Sequence, residues 1–225
     1  MPFRAKVVKS EHPFYIQAMP RVSEEYLAQR RQQILDAAQR CFARKGFYEA
    51  SMQDVFRESG LSAGAVYRYF KSKDELVQAI AAGAIGHLAA VMEDALAQDP
   101  VPGIDEIAGR LATAVEELSE DGPARVAVAA WAAALHDPAV AATVRSALGG
   151  FRALWIKAVR RLQESGRLAP DADVHVAGAA VFALLPGFLL QHLILGDMDA
   201  GTLQLGLRQL LRPELLSPDG AETPR

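Results

Sequence analysis

Cysteine is nearly missing from this chain. Cys41 is the only one in 225 residues, so neither an intrachain disulfide framework nor a multi-cysteine metal site can be built. It sits beside Phe42 on an expected helix core face and reads as an inert buried thiol. The five histidines show no pairing at metal-ligand spacing, so no metal and no cofactor is expected. Alternating runs of Val and Ile are also lacking, which leaves no sheet to predict. There is no G-x-S-x-G elbow, no H-E-x-x-H and no phosphate loop, and no acid/base pair stands in an apolar setting; an enzyme is not expected. A basic excess is missing too. The net charge is −3, which excludes a protein that coats nucleic acid nonspecifically. The first 18 residues contain no continuous apolar run of the signal-peptide kind, and a cytoplasmic protein is expected.

What is present is helical. Apolar residues make up 51% of the chain and Ala is abundant. From Ser23 to Lys45, apolar positions recur at helical spacing until Gly46. Ser51 and Asp54 form a capping-box spacing for a short second helix, which Gly60 ends in a left-handed turn. Ser62 caps a third segment in which Val66 and Phe70 share one face, four residues apart. Ser72 and Glu75 form another capping box, and Asp74 and Glu75 complement the positive end of a long helix running from Lys73 to about Gln98. Further helices are expected at about Ile104–Leu118, Ala124–Leu135, Pro138–Ser165, Ala172–Leu195 and Gly201–Leu211. Gly149 and Gly150 mark a bend or a close helix approach in the helix expected at Pro138–Ser165. The fold class is therefore all-α, with about nine helices: a three-helix head with a helix-turn-helix, and a larger helical body.

The head is the more informative part. Residues 51–70 read as a helix, a tight turn and a second helix whose outer face offers Ala63, Gly64, Ala65, Tyr67, Arg68 and Tyr69. Small residues beside aromatics and one arginine suit entry into the DNA major groove. Between Cys41 and Lys73 stand six basic and three acidic side chains, a local positive excess that fits a small phosphate-binding surface. Arg68 is the candidate for direct base readout, because its fork matches O6 and N7 of guanine.

The stretch RRQQILDAAQRCFARKGFYEASMQDVFRESGLSAGAVYRYFKSKDELVQAI resembles the N-terminal domain of the TetR family of transcriptional regulators. The likeness covers about residues 28–82. It is carried by ILDAA, by the F-x-x-K-G-F pattern, by the capped second helix and G-L-S turn, and by the closing V-Y-x-Y-F-x-S-K-x-x-L block. It implies a homodimer whose two recognition helices read successive major grooves of a pseudopalindromic operator, and a body that dimerises and holds a small apolar effector. It also implies site roles. Ser51 would cap the second helix and bind phosphate through its hydroxyl, and Gln53 would reach a phosphate or a base edge. Ser62, Ala63, Gly64 and Ala65 would open the recognition helix. Tyr67 and Lys73 would bind phosphate, and Tyr69 would face DNA. Ala63 and Ala65 stand where many members carry larger or polar side chains, which shifts readout toward Arg68, Tyr69, thymine methyls and DNA shape.

On this reading residues 1–22 form an N-terminal arm, residues 23–72 the DNA-binding domain, residues 73–98 a linking helix, residues 99–213 the effector and dimerisation domain, and residues 214–225 a disordered tail. Residues 1–18 are either a basic arm or the product of an upstream start, since Met19 is a plausible initiator. Candidate walls of an effector pocket are Leu111, Val115, Trp131, Phe151, Trp155, Phe182 and Phe188, with His192 as a polar group; plain core is the alternative for each. His87, His136 and Gln191 are further polar residues of the body. For dimerisation, Phe182, Leu185, Leu189 and Leu193 on one helix and Leu203, Leu207 and Leu210 on the next would make a four-helix interface.

Val176 to Gly196 carries no charged residue and approaches a bilayer span. Pro186, Gln191 and His192 interrupt it, and it lacks flanking basic clusters and an aromatic belt, so a buried or interface helix is expected and no membrane. The function expected is a ligand-responsive repressor released from DNA by a small apolar effector. The alternatives are a regulator without such an effector, and a helical membrane-associated protein.

Overall fold

The computed structural model describes residues 23–120 and 122–211, and every regular element among them is a helix. The expected N-terminal arm, the possible upstream start and the tail beyond Leu211 lie outside the described residues. The helices are α1 (Glu24–Glu49), α2 (Met52–Ser59), α3 (Ala63–Tyr67), α4 (Lys73–Ala97), α5 (Ile104–Glu120), α6 (Pro123–Ala134), α7 (Pro138–Glu164), α8 (Val174–Phe182), α9 (Leu184–Ile194) and α10 (Ala200–Leu210).

Side-chain caps set most of the starts. Ser23, Ser51, Ser62, Ser72, Asp137, Asp173 and Asp199 each accept a backbone N–H of the first turn. Each such cap stabilises its helix by about 1 kcal/mol, which is why these starts agree with the sequence spacing. Gly60 closes α2 at φ 68°, a left-handed conformation that disfavours any side chain. Gly46 breaks α1 at φ 78°, ψ 160°, and a last turn resumes beyond it.

Two apolar clusters organise the chain. In the head, Ile34, Phe42, Val55, Val66, Phe70 and Leu76 pack together from α1 to α4. Val126 and Ala130 of α6 belong to this same cluster. Where α6 begins, Gly122 lies so close to α1 that an ideal Cβ would stand 3.0 Å from the Ala43 Cβ. The head is thus seated on the body through α6 as well as through α4. In the body, Met92, Ile107, Leu111, Trp155, Phe188 and Leu207 anchor the second cluster. The Glu116 carboxylate accepts the Ala200 N–H at 2.7 Å and ties α5 to the start of α10.

Two expectations change. The apolar stretch begins at Val174 and is divided at Ala183, the shared boundary of α8 and α9. Pro186 has no N–H to offer the Phe182 carbonyl one turn earlier, so the hydrogen-bond ladder is interrupted there. The Gly149–Gly150 pair makes no close approach, because a Cβ at either position would meet nothing within 4 Å. The close approach is at Gly178, where a Cβ would stand 2.6 Å from Ile156 Cγ1 and 2.8 Å from Ile156 Cα, so α8 lies directly on α7.

Candidate DNA-binding surface and effector cavity

The helix-turn-helix is held from behind by its own charges. Asp54, the third residue of α2, accepts the Ser51 N–H at 3.0 Å and the Ser51 hydroxyl at 2.8 Å, while Ser51 Oγ accepts the Asp54 N–H at 3.3 Å. Lys45 pairs with the same carboxylate at 2.7 Å, and Arg57 joins it. The Lys45 ammonium and the Ser51 donors hold the Asp54 carboxyl far below the usual carboxylate range. One turn further along α2, Glu58 pairs with Arg44 and with Arg40 at 2.8 Å, which lowers its pKa to about 2. Burial pushes the Cys41 thiol up, so it stays protonated and unreactive.

These contacts revise the electrostatic expectation. Arg44, Lys45 and Arg57 are engaged by carboxylates of the head itself. Lys71 donates to the Tyr67 carbonyl, and Lys73 donates to the Ala50 carbonyl at 2.9 Å. Lys73 therefore latches the start of α4 onto the end of α1, a structural task that its expected phosphate contact did not include. Ser51 also differs: its hydroxyl proton goes to Asp54, which leaves capping as its main task.

Val66 of α3 and Phe70, three residues beyond its end, are buried and point inward. At 100° per residue, the pole opposite that pair is Gly64 and Arg68, flanked by Ala65 and Tyr67. Ser62, Ala63, Gly64, Tyr67 and Arg68 are exposed, as is Gln53 on α2. Tyr67 is braced edge-on against Phe56 with ring centroids 5.3 Å apart. Tyr69 is half-buried against the head cluster, with one side toward a groove it shares with Ala65 and Arg68. Arg68 makes no ion pair with a described residue. The Ser72 cap is only half a capping box: Ser72 Oγ accepts the Glu75 N–H at 3.2 Å, but Glu75 returns to the Lys71 N–H at 2.6 Å.

The body contains an apolar cavity of about 530 Å³ of non-protein space, part of it open to solvent. Its walls are all apolar and come from five directions: Ala84, Ile85 and Leu88 of α4, Val115 and Leu118 of α5, Ala127 and Trp131 of α6, Leu148 and Phe151 of α7, and Phe182, Leu185, Pro186 and Leu189 of α8 and α9. Four of the expected wall residues are there, namely Val115, Trp131, Phe151 and Phe182. Leu111, Trp155 and Phe188 are not; they are fully buried core away from the cavity walls. His192 does not reach it either. Its ring stacks on Phe188, and Nδ1 lies 2.9 Å from the Met198 carbonyl. Sequence reasoning missed Ala84, Ile85 and Leu88, because a helix that links two parts was not expected to form a wall.

The expected dimer face also needs correction. Leu185, Leu189, Leu203 and Leu207 are buried within the protomer, and Phe182 and Leu193 pack partly buried against the same cluster. Only Leu210 of that set is exposed. The outward apolar strip is instead Val176, Leu190, Ile194, Leu195, Leu205 and Leu210, with exposures from 40% to 73%. These helices are apolar on both faces, and spacing alone cannot tell inward from outward.

Comparison with known proteins decides the family. The model of bacterial regulatory proteins of the tetR family matches residues 34–80, and that of the BetI-type transcriptional repressor C-terminal domain matches residues 107–216. The chain belongs to the TetR family. The transcriptional repressor Rv1474c of Mycobacterium tuberculosis is 45% identical over 73 residues, which cover 32% of this chain and 39% of that relative. The chain thus spans well under half the length of that relative. The transcriptional regulator UidR of Escherichia coli is 27% identical over 173 residues, covering 76% of this chain and 82% of UidR. Among solved structures, Salmonella enterica GusR superposes with a TM-score of 0.66 at 25% identity, covering 84% of this chain and 98% of GusR. As a TetR-family protein, the chain carries the helix-turn-helix of a family whose relatives named here are transcriptional regulators.

Proposed function

We propose that this TetR-family chain is a repressor that binds a pseudopalindromic operator as a homodimer in the cytoplasm and releases it when a small, uncharged apolar effector fills the body cavity. The supporting observation is that two helices serve both parts at once. α4 places Leu76, Val77 and Ile80 in the head cluster and Ala84, Ile85 and Leu88 on the cavity wall. α6 places Val126 and Ala130 in the head cluster and Ala127 and Trp131 on the same wall. A molecule that displaces these walls acts on the seat of the head. In a dimer, that changes the separation of two recognition helices, which must match one helical turn of DNA.

The division at residues 23–72, 73–98 and 99–213 belongs to this reading, with the head as output, α4 as link and the body as sensor. The outward residues Val176, Leu190, Ile194, Leu195, Leu205 and Leu210 make the proposed dimer face, because six large apolar side chains left 40% to 73% exposed favour burial against a second copy. Among the described residues, α4 (Lys73–Ala97) and the α8–α9 stretch Val174–Ile194 are long and apolar enough to cross a bilayer. Yet α4 buries Leu76, Val77, Ile80, Met92 and Leu96 in the two clusters, which favours the soluble reading.

Release needs only that effector binds the DNA-incompetent spacing better, by about 1–3 kcal/mol of coupling, or roughly 5–150-fold. The test is operator binding measured with and without uncharged hydrophobic compounds that bind the body. Bound ligand that leaves operator affinity unchanged sinks the effector part of the proposal. Sedimentation that returns a monomer at micromolar concentration sinks the dimer.

A further inference from the structure

Four cations of the head pair with carboxylates of the head itself, and two others share one groove. Arg40 and Arg44 serve Glu58, Lys45 and Arg57 serve Asp54, and the Arg31 guanidinium carbon lies 5.1 Å from the Phe70 ring centroid. Arg30 and Arg68 pair with no carboxylate among the described residues. Both line one surface groove of about 430 Å³, together with Tyr26, Leu61, Ala65 and Tyr69. The groove runs between α1 and the recognition helix.

Arg30 is also held in place. Its Nε donates to the Tyr26 hydroxyl at 2.9 Å, and its guanidinium carbon lies 5.0 Å from the Tyr26 ring centroid. Its Nη1 donates to Gln33 Oε1 at 2.7 Å, and Gln33 Nε2 in turn donates to the Ser59 carbonyl at 2.8 Å, at the end of α2. A long flexible side chain is thereby fixed relative to the helix-turn-helix, using only neutral partners. Two guanidinium groups along one groove repel each other, and no carboxylate among the described residues pairs with either. An anion would. When Arg68 at the pole of α3 reaches base edges, the wall beside it faces the sugar-phosphate backbone bordering that major groove.

We propose that Arg30 on α1, positioned by Tyr26 and Gln33, is a phosphate clamp that fixes the register of the recognition helix on DNA. This contact rests on the DNA-binding role of the head, and extends it to a helix outside the helix-turn-helix. Arg30 supplies affinity without sequence preference, whereas Arg68 supplies the readout.

The test uses the full chain and a labelled random-sequence duplex of about 30 base pairs, long enough for two half-sites one turn apart. Affinity is followed across a salt series for Arg30→Gln, Arg30→Lys and Arg152→Gln, the last removing an exposed charge from α7 in the body. The expected result is that Arg30→Gln lowers the slope of log affinity against log salt by about 0.9 per half-site, and that Arg30→Lys restores it. Arg152→Gln should match the wild type, which a bulk charge effect would not allow. An Arg30→Gln slope equal to the wild-type slope would overturn the clamp. A wild type that binds the duplex with no salt dependence would instead remove the DNA-binding role of the head, and the clamp with it.

Discussion

Two glycines in the middle of α4 offer a clean perturbation. Gly83 and Gly86 are exposed, and a Cβ added at either would meet nothing within 4 Å, so packing does not require them. In a helix interior each Gly is about 1 kcal/mol less favourable than Ala. Gly83→Ala with Gly86→Ala should therefore stabilise the fold by up to about 2 kcal/mol, part of it by restricting the unfolded chain. For a chain of this size that is a rise in Tm of about 4–8 °C, read by calorimetry or by far-ultraviolet circular dichroism. On the helix wheel, Gly83 and Gly86 lie opposite Ala84, Ile85 and Leu88, which line the cavity. The double variant stiffens the outer side of the link without touching the effector. We hypothesise that operator affinity then stays close to wild type while the effector-induced loss of affinity shrinks. An unchanged or lowered Tm would refute the energetic reasoning. A raised Tm with undiminished effector response would refute the role of α4 compliance.

Three further outcomes follow from particular contacts. Lys73→Met removes the bond to the Ala50 carbonyl and should lower stability by about 1 kcal/mol in urea titration, besides any loss of DNA affinity; unchanged stability would return Lys73 to a purely phosphate-binding role. Glu58 has a folded pKa lowered from 4.5 to about 2, so the stability it contributes is fully present above pH 4.5 and is lost as pH falls toward 2. Glu58→Gln should flatten that part of the stability-against-pH curve, and an identical acid limb in both proteins would contradict the assignment. Gly178→Ala forces a Cβ against the Ile156 backbone and should cost about 1–3 kcal/mol as α8 lifts from α7; a neutral result would mean that the two helices slide apart freely.

Helix starts were legible because Ser51, Ser62 and Ser72 combine a short polar side chain with a following helical pattern, and a cap depends on only a few neighbouring residues. The position of the recognition helix was legible for the same reason, since Val66 and Phe70 mark its inner face locally. Side-chain destinations were not. The sequence shows six basic residues between Cys41 and Lys73, but only tertiary placement shows that Arg44 and Lys45 face carboxylates and that Lys73 reaches a carbonyl 23 positions away. Leu185 and Leu190 illustrate a second limit: both sit on an apolar helix, one buried and one exposed, and no periodic contrast separates them. Arg30 escaped attention because its groove forms only when α1 and α3 meet.

The most direct measurement is operator affinity of the wild type and of Ala127→Phe, each with and without a saturating uncharged hydrophobic ligand. Ala127 is nearly buried on the α6 wall of the cavity, so a phenyl ring there fills the space an effector would use. The wild type should lose operator affinity roughly 5–150-fold on ligand binding, whereas Ala127→Phe should show one affinity, insensitive to ligand. Equal ligand response in the two proteins would place the effector elsewhere and contradict the coupling of this cavity to the head.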